Sequence, residues 1–179
     1  ERLADLHDMF ADPTIAGIVC SRGGYGAARF TDKIDFELIR NNPKVFWGYS
    51  DITFLHTAIG QLANLVTFHG PMLSSDIAGD DFAELSASMF EQLFEPTTLT
   101  YDESISELEV LSEGTVKAEI IGGNLSLLTN SIGTKFEIET SGKILLIEDI
   151  GEEPYRVDGM LNQLRQANKL DSLAGVVIG

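Results

Sequence analysis

The sequence predicts an α/β fold in two parts: an amino-terminal parallel sheet with flanking helices, and a smaller carboxy-terminal α/β portion. Three observations carry that prediction. Apolar runs of strand length alternate with segments of helical period, the pattern a parallel sheet requires because each crossover needs a long, usually helical connection. The first three runs each lead directly into glycines or a turn. Between residues 97 and 115 the alternation lapses into an acidic stretch rich in Thr, Ser and Glu, which reads as the crossing between an amino-terminal domain (1–96) and a carboxy-terminal portion (116–179).

Leu3, Leu6 and Phe10 recur at i, i+3 and i+7, so residues 2–11 form an amphipathic helix that Asp12-Pro13 ends. Ile15 to Cys20 is a buried strand, and Ser21 to Phe30 a glycine-rich loop opening a short helix. Asp35 to Arg40 is helical up to Asn41-Asn42-Pro43. Val45-Phe46-Trp47 is a β-type run, after which Ile52, Leu55, Ile59 and Leu62 mark a helix running to Ala63. Leu65 to Phe68 is a third strand, followed by the His69-Gly70-Pro71 turn and a loop over 73–81. Asp81 and Glu84 have capping-box spacing at the start of a helix with Phe82, Leu85, Met89, Phe90 and Leu93 on its stripe, which Pro96 ends. Leu99 to Tyr101 and Leu108 to Leu111 are weak strand patterns. Val116 to Ile121 is a strand, Gly122-Gly123-Asn124 a turn, Leu125 to Ile132 a helix and Lys143 to Ile147 a strand. Pro154 opens a helix that buries Val157, Met160, Leu161 and Leu164, and Ala174 to Gly179 is a strand pattern. The chain contains no internal repeat and no low-complexity tract.

Composition excludes several function classes. A formal charge of −16, from 12 basic and 28 acidic residues, argues against nucleic acid or an anionic membrane as partner. No apolar run approaches the roughly 20 residues needed to span a bilayer. The single cysteine, Cys20, rules out an internal disulfide and a multi-cysteine zinc site, suits a reducing compartment, and reads as a buried structural thiol. The 179 residues, 44% of them hydrophobic, suffice for a real core.

Chemistry concentrates at Lys44 to Thr53, where strand passes to helix through Gly48-Tyr49-Ser50-Asp51. A serine in such a turn has its hydroxyl presented at the carboxyl edge of the sheet beside free N–H groups of the first helical turn, as in a nucleophile elbow. Only half of the G-x-S-x-G pattern is present, because Ile52 stands at the second glycine, and the plainer reading makes Ser50 an N-cap. The Gly23-Gly24-Tyr25-Gly26 loop has neither dinucleotide nor P-loop spacing, so it is read as an anion-binding or merely tight turn and no cofactor is expected. In a parallel sheet, ligands bind beyond the carboxyl ends of the strands, which aligns Gly23-Gly24, Ser50 and the His69 turn on one edge. Glu148 and Asp149 close a strand, where an acid can orient a catalytic histidine, or where both are solvated loop charges. Of the three histidines, His7 lies on a helix flank, His56 packs on the elbow helix and only His69 approaches the site edge.

Five strings in order, Cys20-Ser21-Arg22-Gly23-Gly24-Tyr25-Gly26, Gly48-Tyr49-Ser50-Asp51-Ile52-Thr53, His69-Gly70-Pro71-Met72, Gly122-Gly123-Asn124-Leu125 and Glu148-Asp149-Ile150-Gly151-Glu152, resemble the serine LD-carboxypeptidase family of muramoyltetrapeptide carboxypeptidases and microcin C immunity proteins. The resemblance implies a metal-free serine peptidase of peptidoglycan recycling in the cytoplasm. It implies Ser50 as nucleophile, Glu148 as the acid of a Ser-Glu-His triad, and a histidine beyond Gly179, so that the chain is an interior piece of a longer enzyme. The backbone N–H groups of Asp51 and Gly24 would hold the oxyanion, and Arg22, Gly23, Tyr25 and Asn124 would contact substrate. The partner implied is a murein peptide, with neither nucleic acid nor membrane, and a homodimer is left open. Hydrolysis of a peptidyl-nucleotide antibiotic is the alternative enzyme, and a non-catalytic domain that binds a small anion is the alternative outside enzymes.

Overall fold

The computed structural model describes residues 1–179 and contains six α-helices and six β-strands, joined in places by single 3₁₀ or π turns. Helix α1 (Arg2–Ala11) turns Leu6 and Phe10 into the core and stops where the Asp12 carboxylate accepts the Thr14 N–H at 2.8 Å. Strands β1 (Gly17–Val19), β2 (Val45–Gly48) and β3 (Phe68–His69) form a parallel sheet in that order, with Ile18 opposite Phe46 and Trp47 opposite Phe68. Their carboxyl ends therefore share one edge. Helix α2 (Phe36–Asn41) begins at Asp35, whose side chain accepts the Leu38 N–H at 2.9 Å. Helix α3 (Thr53–Ala63) buries residues on nearly every side, Thr53 to His56 among them, as a helix enclosed by protein must. It ends at Asn64 in the left-handed conformation that commonly terminates helices.

The second sheet is also parallel, with β4 (Ile120–Asn124), β5 (Ile144–Glu148) and β6 (Gly175–Ile178) in order. Asn124 caps helix α5 (Leu125–Ser131), and helix α6 (Pro154–Gln166) opens on its proline. Leu125, Leu128, Ile138, Leu145, Ile147 and Leu164 form a core of their own. Phe136 leaves that core to join the first, lying 5.8 Å from Phe54 and 6.2 Å from Phe36, centroid to centroid. The two sheets are thus packed together through α3.

Several sequence expectations are corrected. The third strand is Phe68–His69, not Leu65 to Phe68: the chain leaves the Asn64 cap with Val66 exposed, and only the last two residues reach β2. The loop over 73–81 includes a π turn at Leu73–Ile77, held by Asp76, which accepts the Met72 N–H at 2.8 Å. The capping box at Asp81 does not form. The Phe82 N–H bonds Gly79 O, and α4 (Glu84–Ser88) starts later without a side-chain cap, continuing as a 3₁₀ turn that stacks Phe90 on Trp47 at 4.6 Å. Residues 97–115 contain no strand, since Tyr101, Val110 and Leu111 face solvent and no neighbouring strand takes up their backbone groups. The fourth strand starts at Ile120 rather than Val116 and continues through Gly122-Gly123-Asn124, which is strand and not turn. Those glycines serve close approach: a Cβ on Gly122 would lie 2.1 Å from Leu146 O.

Candidate active site

Strand β2 ends at Gly48, whose carbonyl accepts the Gly70 N–H at 3.2 Å and meets His56 Nε2 at 2.8 Å. Tyr49 is extended, and Ser50 then turns sharply with φ +62° into the 3₁₀ turn Ser50–Ile52 that leads α3. A left-handed serine costs on the order of 1–3 kcal/mol and persists only where the surroundings impose it. Ser50 caps neither the 3₁₀ turn nor α3, so the plain N-cap reading gives way to a strained, unengaged hydroxyl.

The glycine loop after β1 closes over this hydroxyl. A Cβ on Gly23 would stand 3.0 Å from both Cβ and Oγ of Ser50, so only glycine lets the backbone lie so near. Gly24 follows with φ +114°. The loop is moored by Asp51, buried beside Ser50, whose Oδ2 accepts the Ala27 N–H at 3.0 Å. No local sequence signal marks this anchoring, because the bond joins residues 24 positions apart and the motif assigns Asp51 only its backbone N–H. Arg22 extends into solvent without an ion pair.

A pocket of about 200 Å³ gathers Arg22, Gly23, Gly24, Ser50, Asn124 and Glu148 from both sheets, together with Tyr49, Met72, Ser75 and Ile150. Tyr25 is not among its walls: its ring is 76% exposed and stacks beneath the Arg29 guanidinium. Asp51 is not among the walls either, its carboxylate being turned to Ala27. Tyr49, Met72 and Ile150 lie within the motif strings but carry no reactive group that marks them as site residues, and Ser75 lies outside every string, in a stretch with no elbow or glycine signal. A second cavity of about 600 Å³ shares Tyr49 and Ser75 and extends past His69, Asp76, Asp80 and Asp81.

Glu148 ends β5 opposite Asn124. Its Oε1 is enclosed by protein and makes no hydrogen bond. Burial pushes its pKa above the ordinary carboxylate value, and the neighbouring Asp149 charge adds to that, while the Asn124 side chain acts in the opposite direction. Asp149, in contrast, is fully engaged: Oδ2 accepts the N–H of Ser126 at 3.0 Å and its hydroxyl at 2.9 Å, and Oδ1 accepts the Ile150 N–H. It holds the first turn of α5. The two acids, close rivals by sequence position, are distinct in space.

No histidine lines the Ser50 pocket. His7 Nε2 accepts the Asp35 N–H at 3.0 Å. His56 is buried beneath the elbow, and burial, with a smaller contribution from His69, lowers its pKa to about 4 despite the opposing bond to Gly48. His69 belongs to β3 rather than to a turn, faces the Tyr49 ring at 5.7 Å and is lowered by burial.

A parallel α/β fold carrying a strained serine elbow defines the structural class. Within it, the chain belongs to the LD-carboxypeptidase family: the model of the LD-carboxypeptidase N-terminal domain matches residues 1–70 and that of the C-terminal domain residues 117–179. It is 56% identical over 178 residues to a Bacillus subtilis (strain 168) protein named "Probable murein peptide carboxypeptidase", covering 99% of this chain and 56% of that one. The muramoyltetrapeptide carboxypeptidase structure from Oxalobacter formigenes superposes with TM-score 0.84 at 30% identity, covering 99% of this chain and 60% of that one. An MccF-like protein from Bacillus anthracis str. Ames gives 0.86 at 31%, with 99% and 61% covered. The chain thus spans little more than half the length of these relatives. No helix is long and apolar enough to cross a membrane.

Proposed function

We propose that the full-length protein is a serine carboxypeptidase that releases the terminal D-alanine from murein tetrapeptide. The observation that carries this reading is the strained, uncapped Ser50 sharing one pocket with a Glu148 oxygen that is buried and without a donor. A carboxylate oxygen held in that state is an acceptor awaiting an N–H, which is what the acid of a triad offers its histidine. The family membership and the murein-named relatives support the same chemistry.

In this mechanism Ser50 Oγ attacks the carbonyl before the terminal residue while a histidine from the part of the protein beyond residue 179 takes its proton. The Asp51 and Gly24 N–H groups receive the developing oxyanion, and Glu148 accepts the imidazole N–H and stabilises the imidazolium. The histidine returns its proton to the leaving amine, and water then hydrolyses the acyl-enzyme. Arg22 grips the substrate's terminal carboxylate. Asn124 and Gly23 line the peptide, and the division of the chain at 97–115 separates the portion bearing the nucleophile from the portion bearing the acid. The MccF-like neighbour favours a second reading, hydrolysis of a peptidyl-nucleotide, in which the same serine and acid act on a different leaving group.

The test follows D-alanine release from murein tetrapeptide by the full-length protein and its Ser50→Ala variant, beside fluorophosphonate labelling of both. Turnover and labelling that vanish together in the variant support the reading. Peptidyl-nucleotide cleavage without D-alanine release would transfer the protein to the second reading, and an unlabelled, inactive wild type would reduce the pocket to a binding site.

A further inference from the structure

Thr53 closes the motif that carries Ser50, yet the mechanism above gives it no part. It is the first residue of α3 and is fully buried. Its Oγ1 accepts the backbone N–H of Asn124 at 3.1 Å, a bond spanning 71 residues of sequence. Asn124 ends β4 and stands opposite Glu148 in the ladder. The hydroxyl on the first residue of the elbow helix therefore grips the backbone beside the candidate acid. Gly123 makes the approach feasible, because a Cβ there would lie 2.7 Å from Thr53 Oγ1 and 3.1 Å from His69 Nδ1. The Asn124 Oδ1 is engaged at the start of α5, accepting the Leu127 N–H at 3.2 Å.

We infer that Thr53 is a positioning residue that sets Ser50 against Glu148, by locking the start of the elbow helix to the carboxyl end of β4 through one buried hydrogen bond. Ser50 follows a strand of one sheet and Glu148 ends a strand of the other, and each sheet has its own core. The apolar contact of Phe136 with Phe54 holds the two together without fixing direction, whereas a hydrogen bond has a narrow range of length and angle. The links between Gln61 and the backbone of Glu137 and Glu139 lie two turns further along α3 and are exposed. A valine at position 53 would leave the Asn124 N–H buried without an acceptor, so the end of β4 would move to find one and take Glu148 with it. This inference rests on Ser50 and Glu148 acting as nucleophile and acid.

The test compares Thr53→Val, which removes the hydroxyl at nearly constant volume, with Thr53→Ser, which keeps it, in the full-length protein. A misplacement of about an ångström is worth roughly a hundredfold in rate, so the valine variant should lose about ten- to a hundredfold in kcat with KM within about twofold. Serine should restore kcat to within about threefold of wild type. Amide exchange at Asn124 should accelerate in the valine protein and not in the serine protein. Wild-type kcat in the valine variant, or a serine variant as slow as valine, overturns the inference. If the valine protein does not fold, Thr53→Ser against Thr53→Ala makes the same comparison, since both lack the methyl and only serine retains the hydroxyl. A wild type that turns over no murein peptide defeats the functional reading instead. In that event Asn124 exchange still decides, because exchange unchanged by valine shows that the bond does not hold the strand.

Discussion

His56 should make this protein acid-sensitive, and the structure fixes both the sign and the size of the effect. Its Nε2 must carry the hydrogen donated to Gly48 O, since a carbonyl can only accept, which leaves Nδ1 as a buried lone pair without a partner. Protonation would place an N–H and a positive charge at Nδ1 where nothing receives them, so burial lowers the pKa from the ordinary 6.5 to about 4. A histidine depressed in this way contributes stability that is present above its unfolded pKa and is lost as pH falls toward the folded value. At about 1.4 kcal/mol per pH unit, the interval between those two values amounts to about 3 kcal/mol. The assay is urea unfolding of wild type and His56→Gln at constant ionic strength, at steps between about pH 7 and 4. Glutamine keeps a donor within reach of Gly48 and cannot titrate, and His69 remains in both proteins. Wild type should lose about 3 kcal/mol more than the variant across that range. Equal losses would show that His56 is not held neutral by its surroundings and would refute the argument.

Ser50→Gly should abolish D-alanine release while raising unfolding stability by about 1 kcal/mol, because glycine occupies φ +62° without the serine's steric cost; thermal unfolding beside turnover checks both halves. Glu148→Gln should cost far more turnover than Asp149→Asn at neutral pH. Its stability relative to wild type should rise as pH climbs above the ordinary glutamate range, since a carboxyl with a raised pKa destabilises the fold once ionised. Asp149→Asn should instead cost about 1 kcal/mol of stability, through the weakened hold on the Ser126 N–H at the start of α5. Gly23→Ala should lower kcat about tenfold or more with little change in Tm, because its methyl meets Ser50 Oγ at 3.0 Å; unchanged kinetics would show that the loop yields freely.

The alternation of apolar runs with helical periods was enough to determine an amino-terminal parallel sheet and a carboxy-terminal α/β portion, because side-chain period and crossover length are local properties; that the second portion is itself a parallel sheet came from the structure. The Ser50 elbow and the strand-end position of Glu148 were legible for the same reason: each is set by residues within a few positions along the chain. The readings that failed depended on partners. Leu99 to Tyr101 and Leu108 to Leu111 have strand-like sequences but no ladder to join, and Gly122-Gly123 looks like a turn until Leu146 and Thr53 are seen pressing on it. Glu148 was favoured as the acid with Asp149 nearly its equal in position, and the physical difference between them came from Ser126 and Ile150, which take up Asp149 and leave Glu148 Oε1 alone. His56 read as packing and proved to hold the Gly48 carbonyl at the foot of the elbow. The sequence by itself determined which chemistry-bearing residues the chain presents at its strand ends. Tertiary structure alone decided which of them share a pocket, because hydrogen-bond saturation and burial arise between segments as far apart as Thr53 and Asn124.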